Sequence, residues 1–294
     1  MKILVSYRGI PESHGWATGD MLSRALVALG HDVVPYGNYY RTRDQLGREP
    51  NERKLERTYD LIIFMECNDE EPQYLELKEY AARTKTKIVG WFFDNTYYSD
   101  HLSHLIELFR FERIFLANPL ELRRFKGSLY LPYACDQELH GRTLDQTAAT
   151  DLALFGSVRP DRLLLIEKLR KAGLDAQLLG GIFREEYIQR MSQTRMTVNQ
   201  NPRKGAGLLN MRTFEAPAAG SLLLLEERDF RANRSVFLEE EACVPYSSVG
   251  NLAKKARILL NDPSRLLDLR RRGQSFFLER HTYLHRAREL LRSL

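Results

Sequence analysis

Two arginines stand in the second half of the sequence where the surrounding pattern gives no structural reason for positive charge. In "FGSVRPDR", residues 155–162, Gly156 ends an apolar run and Arg159 and Arg162 open the next amphipathic stretch. A helix N-terminus already carries partial positive charge, so cations there favour a bound anion. Forked guanidinium donors suit a diphosphate and would stabilise it as a leaving group. The alternative is that both side chains simply face water.

A second charged stretch, "NPRKGAGLLNMRTFEAPAAG", spans residues 201–220 and runs into the apolar "SLLLL". Lys204 in its loop and Arg212 in the predicted helix would add positive charge at a diphosphate, and Asn210 lies close to Arg212 at the start of the helix. Glu215 falls in the first turn, where a carboxylate either stabilises the helix N-terminus or accepts hydrogen bonds from both ribose hydroxyls. In either case we expect Arg212 to pair with Glu215, three residues away.

In the first half, two residues have side chains suited to proton transfer. His14 lies in a glycine-bearing loop after the first predicted strand, and imidazole titrates near neutral pH, so it is a candidate general base. Asp94 is the first polar residue after "WFF" at the end of the fourth predicted strand and is a candidate to accept a proton from an attacking hydroxyl. The alternatives are a loop histidine without function and a helix N-cap at Asp94 or Asn95.

Several other classes of site lack their sequence signals. There is no GxGxxG or GxxxxGK[ST] motif, so neither a dinucleotide fingerprint nor a P-loop is present. No D-x-D triplet occurs, and the three cysteines are far apart without metal-ligand spacing. We therefore expect no cofactor and no essential metal, with arginines in place of a metal at the diphosphate.

Positive charge is concentrated in the second half of the chain. Lys and Arg number 18 against 19 acidic residues over 1–135, and 26 against 20 over 136–294. This asymmetry suggests an anionic partner such as a phosphorylated small molecule, acidic lipid or nucleic acid. For the arginine-rich stretch from 265 onward, a solvated basic helix is the preferred interpretation. No apolar run approaches the roughly 20 residues needed to span a bilayer, and the start lacks a signal peptide, so a cytoplasmic protein is expected.

Short apolar runs alternate with amphipathic stretches along the whole chain, as is typical of β-α-β units with parallel strands. The predicted strands cover 2–7, 32–36, 60–65, 87–93, 113–118, 129–133, 152–157, 176–180, 196–200, 221–225 and 242–246. The predicted helices cover 18–29, 71–83, 99–110, 119–125, 160–172, 184–192, 210–219, 248–261 and a long tail from about 264.

The polar stretch 136–150 contains no strand pattern and is interpreted as a linker. At 294 residues the chain is long enough for two domains of ordinary size. The fold class is therefore α/β, with two Rossmann-like domains facing each other across a cleft. Ligands of open parallel sheets bind beyond the carboxyl ends of the strands.

Several segments, taken in order, resemble GT-B glycosyltransferases. "LPYACDQELH", "FGSVRPDR", "NMRTFEAPAAG" and "ERHTYLHRARELL" are similar to the CgeB-like (spore maturation protein) branch of group 1 enzymes, and residues 1–135 resemble it more loosely. The resemblance implies an acceptor domain over 1–135, a nucleotide-sugar donor domain over 136–275 and a C-terminal helix over 276–294 that crosses back to the first domain.

The resemblance also implies the roles of individual residues. Arg159 and Arg162 fall at diphosphate positions, Glu215 at the ribose position, with Asn210 and Gly156 on the same ribose and sugar side, and Asp94 near the place of a catalytic or donor-sugar contact. Many relatives carry a further glutamate, where this chain has Gly207.

The sequence thus predicts a metal-independent glycosyltransferase that moves a sugar from a nucleotide-diphosphate sugar to a hydroxyl acceptor. The acceptor is a glycan, small molecule, protein or modified nucleic acid. The alternatives are a nucleotide-sugar epimerase on the same fold and a non-catalytic module that binds nucleotide sugars or nucleic acid.

Overall fold

A computed structural model describes residues 1–7, 17–37, 55–65, 72–93, 99–144, 150–201, 207–237 and 242–294. These residues form two compact units, one made of Met1–Pro132 with Tyr283–Leu294 and the other of Tyr133–Thr282. Each unit contains one sheet, and every strand pairing in both sheets is parallel.

The first unit is built on a six-stranded sheet of order β2-β1-β3-β4-β5-β6. Its strands are β1 (Lys2–Tyr7), β2 (Asp32–Gly37), β3 (Leu61–Met65), β4 (Lys87–Phe92), β5 (Arg113–Leu116) and β6 (Leu129–Tyr130). Its helices are α1 (Thr18–Ala28), α2 (Pro72–Thr84) and α3 (Ser99–Leu108), and the predicted helix at 119–125 is a 3-10 helix over Pro119–Arg123. The strands β1 and β3 are almost wholly buried, as expected for parallel strands covered on both faces.

The second unit is built on a five-stranded sheet of order β11-β10-β9-β7-β8. Its strands are β7 (Thr150–Phe155), β8 (Ala176–Leu179), β9 (Thr194–Asn199), β10 (Leu222–Glu226) and β11 (Cys243–Tyr246). Its helices are α4 (Gln137–His140), α5 (Pro160–Lys171), α6 (Arg184–Ser192), α7 (Arg212–Ala218), α8 (Glu227–Ala232), α9 (Val249–Leu260) and α10 (Pro263–Arg280). Leu152, Met196 and Leu222 lie within its apolar core.

Two short helices were not expected from the sequence. The stretch interpreted as a linker contains α4, which is capped by Asp136: its Oδ1 accepts from the backbone N–H groups of Glu138 and Leu139 at 3.0 and 3.1 Å. The short helix α8 was not predicted, because six residues directly after a strand are too few to show helical periodicity.

The arginine-rich tail forms two helices rather than one, because the helix is interrupted at His281 and Thr282. The backbone N–H of Cys135 donates to the carbonyl of His281 at 3.0 Å, and Cys135 and Thr282 form an isolated parallel bridge. The last helix, α11 (Tyr283–Arg292), belongs to the first unit and packs against α1. Tyr283 and Arg286 are buried there, and Arg286 Nε donates to the Pro132 carbonyl at 3.0 Å.

Cys135 and Cys243 are buried, and neither forms a disulfide among the described residues. Burial raises the pKa of the Cys243 thiol to about 12. Within the described ranges, no helix is both long enough and apolar enough to cross a bilayer.

Candidate active site

Glycines bring together the loops that follow β7 and β8. Gly156, directly after β7, has φ +122°, a conformation that L side chains rarely adopt, and its N–H donates to the Leu179 carbonyl at 2.9 Å. A Cβ on Gly180 would lie 2.9 Å from the Gly156 carbonyl oxygen and 3.0 Å from a Val158 methyl. The two loops therefore touch backbone to backbone at the carboxyl edge of the sheet, where ligands of such sheets bind.

Two guanidinium groups converge on Gly156. A Cβ at this position would lie 2.8 Å from Arg212 Nη1 and 3.0 Å from Arg162 Nη1. Arg162 is 3% exposed, and its Nη1 donates to the Ser157 carbonyl at 2.9 Å and contacts Ser157 Oγ at 3.3 Å. In the part of the chain that the structure describes, no carboxylate lies within 4.0 Å of either guanidinium, and both Nε atoms are buried without a hydrogen-bond partner.

The positive charge of Arg162 is therefore unfavourable in free energy. Burial, together with the neighbouring positive charges of Arg212 and Arg159, lowers the pKa of Arg162 to about 10, with Asp161 opposing the shift. Desolvation and like charges both penalise the protonated form, and a bound anion would relieve both. The pair is thus arranged to bind an anion.

Arg159 has a different environment from Arg162. It occupies the N-cap position of α5, and its Nε and Nη2 donate to the two oxygens of Asp161 at 3.0 and 2.8 Å. This bidentate pair lowers the pKa of Asp161. The charge conflict that the sequence suggested at this helix start is therefore relieved at Arg159, whereas Arg162 has no such partner among the described residues.

The expected pair between Arg212 and Glu215 is wrong, because Glu215 has other partners. The Tyr187 hydroxyl donates to Glu215 Oε2 at 2.8 Å, and His140 Nε2 lies 3.6 Å from Oε1. Both the carboxylate and the imidazole are buried, at 5% and 1% side-chain exposure. Burial and the charge of Glu215 raise the pKa of Tyr187 well above its ordinary value, while Arg212 lowers it, so this phenol remains a neutral donor.

The orientation of His140 follows from the cap of its own helix. The backbone N–H of Asp136 donates to His140 Nδ1 at 2.9 Å, and Nδ1 also lies 3.1 Å from the Asp136 carbonyl. Nδ1 thus lies against both the N–H and the carbonyl of Asp136, which orients the ring with Nε2 toward Glu215.

Asn210 joins the strand end to the start of α7. Its Nδ2 donates to the side-chain oxygens of Asn199 at 2.8 Å and Asn201 at 2.6 Å, while its own Oδ1 is buried without a hydrogen-bond partner. Asn199 Nδ2 in turn donates to Thr213 Oγ1 at 2.7 Å. The side chain of Asn210 thus ties the start of α7 to the end of β9.

Asp229 in α8 and Asn233 just after it hold the segment before α7 through buried hydrogen bonds, and we call these two residues the clamp. Asp229 is fully buried, and its carboxylate accepts from the Gly207 N–H at 2.9 Å and from Asn201 Nδ2 at 3.1 Å. Asn233 Nδ2 donates to the Gly207 carbonyl at 2.8 Å. Gly207 has φ +81°, so the place where relatives carry a glutamate is here a left-handed turn fastened through its backbone.

Three of the predicted site residues, His14, Asp94 and Lys204, lie outside the described residues. The others, Gly156, Arg159, Arg162, Asn210, Arg212 and Glu215, all lie in the second unit. Sequence reasoning missed His140 inside the presumed linker, Tyr187 within a helix, and Asp229. Of these, only Asp229 had a usable signal, since it is a carboxylate a few residues beyond a buried strand.

Three solved structures share the fold over nearly the whole chain. An α-glucosyltransferase in complex with UDP and a 13-mer DNA containing a central A:G mismatch aligns with a TM-score of 0.71 at 12% identity, covering 99% of this chain and 98% of that chain. HepE (Alr3699) of Anabaena, in complex with UDP and glucose, aligns with a TM-score of 0.66 at 13% identity over 100% and 99%. The sucrose-phosphate synthase of Thermosynechococcus elongatus aligns with a TM-score of 0.66 at 14% identity over 99% and 98%.

At these identities the likeness shows the fold, which is the pair of parallel-sheet, Rossmann-like domains of GT-B glycosyltransferases. No curated protein sequence matches the chain. The model of the glycosyl transferase-like family matches residues 138–292, more than half of the chain, and this region contains Arg162, Arg212 and Glu215. The protein therefore belongs to the glycosyl transferase-like family and is a glycosyltransferase.

Proposed function

We propose that this glycosyltransferase uses a uridine diphosphate sugar as donor and holds the diphosphate between Arg162 and Arg212 over Gly156. One observation carries the proposal: two guanidinium groups lie against a glycine, with no carboxylate within 4.0 Å among the described residues. UDP is the nucleotide in the complexes of the α-glucosyltransferase and of HepE, which supports testing uridine first.

The two arginines supply the electrostatic part of the reaction. As the glycosidic bond breaks, negative charge grows on the departing diphosphate, and pre-positioned cations stabilise that charge without reorganising. The lack of a side chain at Gly156 lets phosphate oxygens approach the backbone at the same point. Because these cations take the part that a metal ion plays in other transferases, we propose that transfer needs no metal.

The remaining donor contacts are assigned from the sequence resemblance. Glu215 and Asn210 are the proposed ribose contacts. Each carboxylate oxygen has two acceptor positions, so Glu215 keeps capacity for hydroxyls beside its bonds within the protein. Asp94 and His14 remain the candidates to take the proton from the acceptor hydroxyl. The order of the shared segments supports a place in the CgeB-like branch.

A donor screen with charge-deletion variants tests this proposal. Thermal unfolding is followed with UDP, GDP, TDP, CDP and ADP sugars, because a ligand at a hundred times its dissociation constant stabilises the folded state by about 2.7 kcal/mol. We expect UDP sugars to raise the melting temperature of the wild type but not of Arg162→Met or Arg212→Met. Arg195→Met is the matched control, since Arg195 is paired with Asp151 in the same unit, and Asp151 lies near the amino end of β7.

Transfer is then measured with and without EDTA. Unchanged turnover in EDTA is expected, and a loss that magnesium restores would contradict the metal-independent mechanism. Equal donor binding by the wild type and both arginine variants would contradict the diphosphate assignment. Isomerised donor in the absence of an acceptor would indicate an epimerase instead.

A further inference from the structure

The first turn of α7 presents an arginine and a glutamate that ought to neutralise each other. Arg212 and Glu215 are three residues apart, a spacing at which helical side chains are neighbours and opposite charges attract. The structure separates them, because both oxygens of Glu215 face other groups. This arrangement matters for the proposed function, on which the inference rests, because an internal carboxylate would compete with a diphosphate for the N–H groups of Arg212.

We propose that Tyr187 and His140 are positioning residues that hold Glu215 away from Arg212, so that the arginine keeps its charge available to an anionic ligand. Neither residue touches the diphosphate in this arrangement. They act through Glu215 by occupying the carboxylate oxygens that would otherwise turn to the guanidinium.

Tyr187 is well placed for this role. Its hydroxyl donates to Oε2 at 2.8 Å, and its ring packs edge-on against the buried Phe155, with ring centroids 5.7 Å apart at an interplanar angle of 84°. The negative charge of Glu215 and the positive charge of Arg212 act on the Tyr187 pKa in opposite directions. The Tyr187 hydroxyl therefore holds one oxygen of Glu215 at a ring whose own position is fixed by packing.

His140 contributes a second and weaker restraint. Its Nε2 lies 3.6 Å from Glu215 Oε1, which is longer than an ordinary hydrogen bond. The backbone of Asp136 holds the ring so that Nε2 faces the carboxylate. Losing His140 should therefore affect Arg212 in the same direction as losing Tyr187, but less.

The test uses inorganic pyrophosphate, which carries the diphosphate charge but no ribose, so any ribose contact of Glu215 does not enter the measurement. Binding to the full chain is measured by calorimetry. Tyr187→Phe keeps the ring on Phe155 and removes only the donor. We expect it to weaken pyrophosphate binding about tenfold, because the released carboxylate turns to Arg212 and neutralises it. We expect His140→Phe to weaken it about threefold, in line with its longer contact.

Rescue by a second substitution separates this role from a structural one. Glu215→Gln removes the competing charge, so the double variant Tyr187→Phe with Glu215→Gln should bind pyrophosphate within about twofold of Glu215→Gln alone, a coupling that a double-mutant cycle measures directly. Tyr80→Phe is the control, because Tyr80 loses a comparable hydrogen bond, to the Arg57 carbonyl, in the other unit. It should bind pyrophosphate like the wild type.

Two results would overturn the inference: unchanged pyrophosphate binding by Tyr187→Phe, or equally weak binding by the single and the double variant. A failure of the proposed function looks different. In that case Arg162→Met and Arg212→Met would bind pyrophosphate as tightly as the wild type, whatever residue 187 is.

Discussion

Two polar regions lie at the same carboxyl edge of the second sheet and differ in how their charged groups are paired. Around Asp229, both carboxylate oxygens and the amide of Asn201 have partners within the chain. Around Gly156, two arginines have no carboxylate within 4.0 Å among the described residues, and their Nε atoms are buried without a hydrogen-bond partner. A buried carboxylate with both oxygens hydrogen-bonded stabilises one conformation, whereas a buried cation with no opposite charge costs free energy that a bound anion would offset.

The comparison separates residues that build the site from residues that would use it. Substitutions at the Asp229 network should lower stability and affect activity only indirectly. Substitutions at the arginine pair should lower activity without lowering stability. A buried cation with no carboxylate near it costs free energy, and its removal offsets the loss of the hydrogen bond from Arg162 to Ser157.

The largest effect is expected at the arginine pair. Arg212→Met and Arg162→Met should each lower kcat/KM about 100-fold to 1,000-fold, as observed when a donor to developing negative charge is removed from other enzymes. Steady-state kinetics with a UDP sugar measures the loss, and urea denaturation should show that the free energy of unfolding has not fallen. If either arginine variant lost activity because its free energy of unfolding had fallen, the arginine pair and the Asp229 network would not differ as we expect.

Asp229→Ala should lower stability and affect activity only indirectly. It leaves the Gly207 N–H and Asn201 Nδ2 buried without their acceptor, which should lower the free energy of unfolding by about 2–3 kcal/mol. Asp151→Ala is the control, because its ion pair with Arg195 is partly exposed and should cost less than about 1 kcal/mol. Equal losses in the two variants would show that the clamp is not a special source of stability.

Gly156→Ala should lower both the stability of the fold and the affinity for UDP. The φ of +122° is unfavourable for alanine, and the added methyl would lie 2.8 Å from Arg212 Nη1. We expect about 1–3 kcal/mol of destabilisation, together with weaker UDP binding because the arginine must move. Gly127→Ala, at φ +84° with no neighbouring atom within 4 Å, reproduces the strain without the contact. It should lose stability and keep UDP binding.

The contribution of Asp229 to the free energy of unfolding should also depend on pH. Burial raises the pKa of Asp229 above its ordinary 3.8, so above that value the unfolded chain releases its proton before the folded protein does. The free energy of unfolding contributed by this group therefore falls as pH rises through the window from 3.8 upward. Asp229→Asn should lack this part of the pH dependence, so in urea denaturation its free energy of unfolding should fall less between pH 4 and pH 6 than that of the wild type. Burial also raises the pKa of Glu226, so this group lowers the free energy of unfolding with rising pH in both the wild type and Asp229→Asn.

The smallest effect is expected at Arg159. Because Asp161 already holds its guanidinium, Arg159→Ala should lower kcat/KM less than about threefold. Asp161→Asn should strengthen UDP binding by a similar factor by releasing Arg159 toward the anion. A large loss in Arg159→Ala would restore the equal ranking of Arg159 and Arg162 that the sequence suggests.

The fold was largely accessible from the sequence because parallel strands buried on both faces leave continuous apolar runs. Residues 2–7 and 184–192 match the structure at both ends. The helices α4 and α8 were missed because four and six residues are too short for a helical period to show.

The site was less accessible, because side-chain pairing depends on contacts between distant parts of the sequence. The sequence pattern identified Arg162 and Arg212 as candidate diphosphate ligands, and the structure places both at Gly156. It predicted the wrong partner for Glu215, whose contacts with Tyr187 and His140 span 28 and 75 residues of sequence. Nor does a pattern of residue types show that Arg159 is neutralised locally while Arg162 is not.

The placement of α11 has a consequence for how the chain is made. The first unit receives a helix from Tyr283–Arg292, so a ribosome must translate the whole of the second unit before the first unit is complete. Until then the surface of α1 that this helix covers stays exposed to water and to other nascent chains. Maturation of the first unit is therefore coupled to the synthesis of residues 283–292, and a stop codon before them would damage the unit whose strands are made first.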